Sequence, residues 1–269
     1  MSKPFSHKAR KRFGQNFLHD EYIIQKIASS VNPDEKQNIV EIGPGQGAIT
    51  RHLLKQCKHL DLLEIDRDLV KHLDTIFPRS EKLDIHNVDA LKFEFCSLAH
   101  KQKIRLVGNL PYNISTPLLF HILENAHCIE DMHFMLQKEV VERMAASPGS
   151  RDYGRLSIMI QYHCMVESLF NVGPESFDPP PKVESSIVRL TPHKIKPVKV
   201  KNYTIFSQLV AQAFSLRRKT LRNALKKSLT EEQIIACDVD PKLRPEMVDI
   251  GGFARLSNAT VDLTSDDQT

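Results

Sequence analysis

The segment "GNLPYNIST", residues 108–116, sets an amide, Asn109, and an aromatic ring, Tyr112, on either side of a proline. Those types suit one task, holding a flat aromatic amine. The Asn109 side-chain oxygen and the Leu110 carbonyl can accept both protons of an exocyclic amino group. Pro111 removes one backbone torsion, so the acceptors are held rather than searching, and Tyr112 can stack on the ring. Two acceptors favour the pyramidal, nucleophilic form of the amine. They also stabilise positive charge developing on its nitrogen, at ~2–4 kcal/mol per contact in a transition state. A turn capped by Asn113 or Ser115 explains the proline, amide and hydroxyl, but not an amide and a ring bracketing the proline.

A second constellation lies upstream. "VEIGPGQGAIT" follows an apolar run and opens an amphipathic one, and Gly43, Gly45 and Gly47 permit a tight turn with close approach of backbone to a ligand. With Ala48 the string also satisfies G-x-G-x-x-A, so the glycines alone leave dinucleotide and other nucleoside cofactors open. Glu64 ends the next apolar run, 21 residues beyond Gly43. A carboxylate there can accept from both hydroxyls of a ribose. Asp89, in "HNVDALKF", can reach an adenine amine from a third strand end, or simply cap the following helix.

These residues need a scaffold that brings several chain ends to one edge. From 38 to about 137, short apolar runs ("NIVEIG", "LDLLEID", "KLDIHNV", "KIRLVGN", "MHFMLQ") alternate with amphipathic segments ("AITRHLLKQC", "RDLVKHLDTIF", "ALKFEFCSLAH", "STPLLFHILENA"). That alternation predicts an α/β fold, with parallel strands joined by crossover helices and ligands beyond the strands' carboxyl ends. "RLSIMIQYHCMV" and "SSIVRLTP" read as two further strands around the proline-rich "FDPPPKVE". From 202 onward only helical patterns remain: "YTIFSQLVAQAFS", "RKTLRNALKKSL", "EEQIIAC" and "FARLSNATVDL". The expected partition is a basic N-terminal segment (1–19), an α/β domain (20–192) and an all-helical domain (200–264).

The 269 residues are 41% hydrophobic and 26% charged, ordinary for a globular protein with a core. No run of eighteen apolar residues occurs, and the N-terminus lacks a secretory apolar stretch, so no membrane partner and a cytoplasmic location are expected. Five scattered cysteines without C-x-x-C spacing predict reduced packing thiols and no metal. Net charge is only +4, but it is clustered. Arg10, Lys11 and Arg12 join Lys8 at the start, and Arg217, Arg218, Lys219, Arg222, Lys226 and Lys227 crowd one later segment. Such clusters predict a polyanion footprint. On one helix, Arg218, Arg222 and Lys226 would form a stripe. No heptad demands a dimer, so a monomer is expected.

With these motifs in hand, the chain resembles the ribosomal RNA adenine dimethyltransferase family. The resemblance rests on "RFGQNFL", "EIGPGQG", "EIDRDL", "VDAL", "NLPYNISTPL", "MLQKEVVERM", "YGRLSIMIQY", "FDPPPKVESSIVRL" and "RRKTLRN" in family order. It implies a class I, Rossmann-like methyltransferase fold with S-adenosylmethionine as cofactor. Asn16 and Leu18, on a segment that closes over the cofactor, would join Gly43, Gly45, Glu64, Asp89 and Asn109 in its pocket. The implied reaction is dimethylation of the 6-amino groups of two adjacent adenosines near the 3' end of 16S rRNA, on a 30S assembly intermediate. Phe177, ahead of three prolines, is the candidate for the second face of an adenine sandwich, with packing as its alternative. The rival activities are large-subunit rRNA methylation of the Erm type, DNA adenine methylation, a non-enzymatic assembly factor and a nicotinamide dehydrogenase.

Overall fold

The structure is a computed structural model that describes residue 10 and residues 13–78, 80–99, 102–216 and 219–266. Its elements run β1 (Phe17–Leu18), α1 (Glu21–Val31), β2 (Asn38–Ile42), α2 (Thr50–Leu53), β3 (His59–Glu64), α3 (Arg67–Ile76), β4 (Leu83–Asn87), β5 (Ile104–Asn109), α4 (Ser115–Glu124) and β6 (Ile129–Gln137). They continue with α5 (Lys138–Ala145), α6 (Arg155–His163), β7 (Cys164–Val172), β8 (Phe177–Asp178), β9 (Ser185–Pro192), α7 (Tyr203–Ala213), α8 (Leu221–Leu225), α9 (Glu231–Ala236) and α10 (Ile250–Asp266). No described helix is long and apolar enough to cross a membrane.

The chain divides into two compact units, Met1–Val141 with Glu167–Pro192, and Glu142–Val166 with His193–Thr269. In the first, all five expected apolar runs form strands, β2 to β6. They lie in a seven-stranded sheet ordered β4-β3-β2-β5-β6-β9-β7. β2 to β6 pair in parallel, and β9 returns antiparallel to β6. β2 is buried at every position, as a strand covered on both faces should be. Helices α1 and α3 start where the sequence supplies caps. Asp20 accepts from Tyr22 N and Ile23 N at α1, and Asp66 accepts from Asp68 N at α3.

A buried arginine fastens α1 to the sheet. Arg105 on β5 donates to both oxygens of Asp131 on β6 at 2.8 Å, to the Val31 carbonyl at 2.7 Å and to Gln37 Oε1 at 2.7 Å. Removing one partner of such a pair costs ~3–5 kcal/mol, because the other charge stays buried.

The second unit is helical apart from the first residues of β7. Tyr162 at the end of α6 stacks on Tyr203 (ring centroids 5.8 Å apart) and packs on Phe206 of α7. Phe206, Leu209, Leu221, Leu225, Phe253 and Leu256 form its interior.

Four expectations are corrected here. "RLSIMIQYH" is the helix α6, and only the chain after it becomes a strand. All but two of its nine residues are buried, so no polar face reveals the helical period. Those rings place 142–166 with the C-terminal unit rather than with 20–192, although the division at Pro192/His193 falls where the lysine-proline stretch begins. "ALKFEFCSLAH" yields only a 3-10 turn, Phe95–Leu98. Finally, Cys96 and Cys128 form a disulfide, while Cys57, Cys164 and Cys237 are free and buried. Cys96 sits ahead of β5 and Cys128 ahead of β6. Since β5 and β6 are parallel neighbours, the topology joins residues 32 apart that no local spacing would pair.

Candidate active site

β2 and β5 are neighbours in space but lie on either side of the point where the strand order reverses. Crevices open there at the carboxyl ends of the strands. The cavity at this point has about 1020 Å³ of space including its mouth, and Gly43, Glu64, Asp89, Asn109, Leu110 and Tyr112 are all on its wall.

The glycine turn is shaped by necessity. Gly45 and Gly47 have φ of +58° and +78°, in the left-handed region. A Cβ on Gly47 would meet Phe77 Cε2 at 2.5 Å. Gly47 thus lets the turn pack closely on Phe77, while Gly43 and Gly45 bring backbone to the cavity wall beside Pro44 and Gln46.

Glu64 is 5% exposed. One of its oxygens accepts from Asp66 N at 2.8 Å and the other from Gly45 N at 3.3 Å. Each oxygen keeps a lone pair for a further donor. Burial pushes the carboxyl up to about 7, against these two hydrogen bonds. Glu41, in the middle of β2, lines the same cavity, is 2% exposed, and accepts from Thr50 Oγ1 at 2.7 Å. Burial raises it, too, to about 7. Asp89 does cap the following turn, through Leu91 N at 3.0 Å, yet it also faces the cavity.

The N-terminal segment covers the fourth strand end. Asn109 Nδ2 donates to the Asn16 carbonyl at 3.2 Å, which leaves Oδ1 as the amide's acceptor. Gly14, at φ +60°, is pressed against the loop so closely that a Cβ would lie 2.9 Å from Asn113 Oδ1. β1 then pairs with β8, Leu18 opposite Phe177. In the loop itself, the Tyr112 hydroxyl is 2.6 Å from Ser185 Oγ, and burial raises the phenol above its usual range. The start of α4 has no side-chain cap; Ser115 Oγ donates to the Tyr112 carbonyl. Capping therefore does not explain the loop's composition.

The donor set fits an adenosine-bearing ligand. A glycine-rich turn, a buried carboxylate with spare lone pairs and an aspartate sit at three successive strand ends. The sequence also matches the ribosomal RNA adenine dimethylase family over residues 6–260. The chain belongs to that family. It is similar to the ribosomal RNA small subunit methyltransferase A of Pseudomonas aeruginosa, 56% identical over 264 residues and 98% of each chain. It is 55% identical to the protein of that name from a Marinomonas species, over 97% of this chain and 98% of the relative. Among solved structures it resembles a dimethyladenosine transferase from Plasmodium falciparum, with TM-score 0.74, 26% identity, and 89% and 95% of the two chains covered. It also shares the fold of the 23S rRNA methyltransferase ErmE, with TM-score 0.72, 24% identity, and 91% and 100% covered. The fold is thus that of the class I methyltransferases.

Not every residue expected from the family pattern reaches the cavity. Asn16 and Leu18 line it. Phe177 does not; it is 3% exposed and packs in the core with Leu18 and Val172. Arg10 is no free phosphate ligand. Its guanidinium pairs with Asp66 at 2.8 Å and with Asp68, and Gln15 Nε2 reinforces Asp66. Lys219, Arg222 and Lys226 are exposed, but α8 is only Leu221–Leu225, and Arg222 pairs with Glu231 at 3.2 Å. Of the expected stripe, only Arg222 lies on this helix, with Lys226 at its carboxyl cap. Lys11, Arg12, Arg217 and Arg218 lie outside the described residues. The sequence reading missed Glu41, whose signal was an acid inside a fully buried strand, and Ser185, which had no local signal.

Proposed function

We infer that the chain is an S-adenosylmethionine-dependent methyltransferase that dimethylates the 6-amino groups of adenosines in 16S rRNA of the small subunit. The observation that carries this reading is the meeting of Asn109 with Glu64 and Asp89 on one cavity wall. Glu64 would hold the ribose hydroxyls, Asp89 the adenine amine, and the 43–47 turn the remaining backbone-facing edge. When bound, the cofactor supplies an electrophilic sulfonium methyl. Glu41 and Glu64, both on the cavity wall, would favour a cationic group there when ionised.

The chain's own task is to position the acceptor amine. Asn109 Oδ1 and the Leu110 carbonyl accept hydrogen bonds from its N–H groups, and the link to Asn16 stops the amide from rotating. Charge developing on the amine nitrogen then meets dipoles that are already fixed in place, so no reorganisation is needed at the moment of reaction. Tyr112, a neutral phenol held by Ser185, is a stacking face and no base. The proton leaves the quaternised nitrogen to solvent.

The substrate reading goes further: two adjacent adenosines near the 3' end, on a 30S assembly intermediate, by a cytoplasmic monomer. Exposed Lys219 and Lys226 would contact phosphates, which carry affinity without base specificity, and the target base would be extruded into the cavity. Labelled cofactor offered with undermethylated 30S particles, 50S particles and duplex DNA tests the reading. Label in 16S rRNA alone supports it. Label in 23S rRNA or DNA alone would overturn it in favour of the rival substrates.

A further inference from the structure

On β3 and β4, four polar side chains share one face of the sheet, three of them towards the amino-terminal ends of the strands. They are His59 and Asp61 on β3, and Asp84 and His86 on β4, with Asp61 opposite Asp84 in the parallel register. None of them lines the cofactor cavity. His59 is five residues before Glu64 on the same strand, roughly 16 Å away at ~3.3 Å per residue.

The hydrogen bonds at this cluster leave one feature unsatisfied. His59 Nδ1 lies 3.2 Å from the Glu81 carbonyl. A carbonyl only accepts, so Nδ1 carries the ring proton. The lone pair of a neutral ring then sits on Nε2, which faces Asp84 Oδ2 at 3.3 Å and Asp61 Oδ2 at 3.6 Å. Three acceptors converge there, and only a proton or a cation between them relieves the contact. Among the described residues, no lysine or arginine pairs with Asp61 or Asp84. Asp61 is 5% exposed, and its other oxygen receives His86 Nε2–H at 2.7 Å. That bond fixes the carboxylate with Oδ2 towards the cluster.

We propose that His59 Nε2, Asp61 Oδ2 and Asp84 Oδ2 form a binding site for a divalent transition-metal ion of the zinc type, with water completing the coordination. The three ligand atoms lie within 4.8 Å of one another. Two ligands bound at about 2.0–2.1 Å on a tetrahedral zinc ion are about 3.3–3.4 Å apart, close to the two distances from His59 Nε2. The Glu81 carbonyl and His86 orient the histidine and the aspartate from behind, the usual outer partners of metal ligands. Asp84 is exposed and can close the last few tenths of an ångström by side-chain rotation. Bound zinc would tie the edge strand β4 to β3, so its role is to fasten the sheet rather than to take part in methyl transfer.

The test uses the cofactor-free full chain in a Cys96→Ser/Cys128→Ser background, which removes the sulfur ligands of the cluster Cys96, His127 and Cys128 as a competing site. Zinc affinity is read by competition with a chromophoric chelator, and Tm by scanning calorimetry with and without zinc. The expected result is one zinc per chain and a raised Tm. Both should be lost in Asp84→Asn and His59→Ala, while His86→Ala weakens affinity by ~10–100-fold. Circular dichroism checks that the variants fold; Asp84→Asn, at an exposed position, keeps the test decisive if His59→Ala does not. No stoichiometric zinc binding, or binding of equal strength in Asp84→Asn, would overturn the proposal and leave a proton as the group that relieves the contact.

Discussion

Replacing Glu64 with glutamine should remove a proton linkage from cofactor binding. In the free chain burial raises this carboxyl from 4.5 to about 7, a shift worth about 3 kcal/mol. The raised value means that the proton is held at slightly acid pH. The corresponding stability is fully present below the unfolded value of 4.5 and is lost as pH rises through about 7. Two ribose hydroxyls donating to Glu64 favour the charged form, so the proton must leave when the nucleoside enters. Affinity should therefore fall by about 30-fold between about pH 8.5 and about pH 5.5, following 1 + 10^(7 − pH). Calorimetry in buffers of different ionisation enthalpy should count about one proton released at the lower pH and almost none at the higher. Glu41 titrates in the same range, so the experiment is repeated in Glu41→Gln, where the release should persist. In Glu64→Gln binding should be weaker and its pH profile flat. Binding without proton release at about pH 5.5, or an unchanged profile in Glu64→Gln, would refute the assignment of Glu64 to the ribose.

Gly47→Ala should destabilise the fold by ~1–3 kcal/mol in urea titration, because its Cβ would collide with Phe77 at a left-handed φ. Phe177→Ala should cost ~3–5 kcal/mol with cofactor affinity changed only through loosening of β1; normal stability with lost activity would return Phe177 to the substrate face. Arg10→Ala should release the N-terminal segment from Asp66 and Asp68 and weaken cofactor binding by ~1–3 kcal/mol, measured by the same calorimetry. Thiol titration of the denatured, unreduced chain should count three thiols, the Cys57, Cys164 and Cys237 of the free set, and all five after reduction.

What was legible in the sequence was what is local. The apolar runs that became β2 to β6 declare their burial residue by residue. The 43–47 turn and the 109–112 loop carry residue types that only special backbone or special contacts require. Non-local arrangements were not legible. α6 is buried on nearly every side and so shows no period, and Cys96 meets Cys128 only because β5 and β6 are neighbours. Arg10 reads as one of four basic residues in a row of five, yet its charge is taken up by an aspartate 56 residues away. Phe177 reads equally as a stacking face or a packing residue before prolines, and pairing of β8 with β1 accompanies its burial in the core. Such outcomes are decided by topology, which periodicity does not encode.

The central claim is that Asn109 holds and activates the acceptor amine. Single-turnover methyl transfer from labelled cofactor to undermethylated 30S subunits, comparing the native chain with Asn109→Ala, tests it most directly. Loss of the fixed acceptor should slow transfer at saturating cofactor by about 10²–10³-fold, while particle binding stays within a few-fold of native. Transfer at the native rate in Asn109→Ala, with label at the same adenosines, would contradict the account.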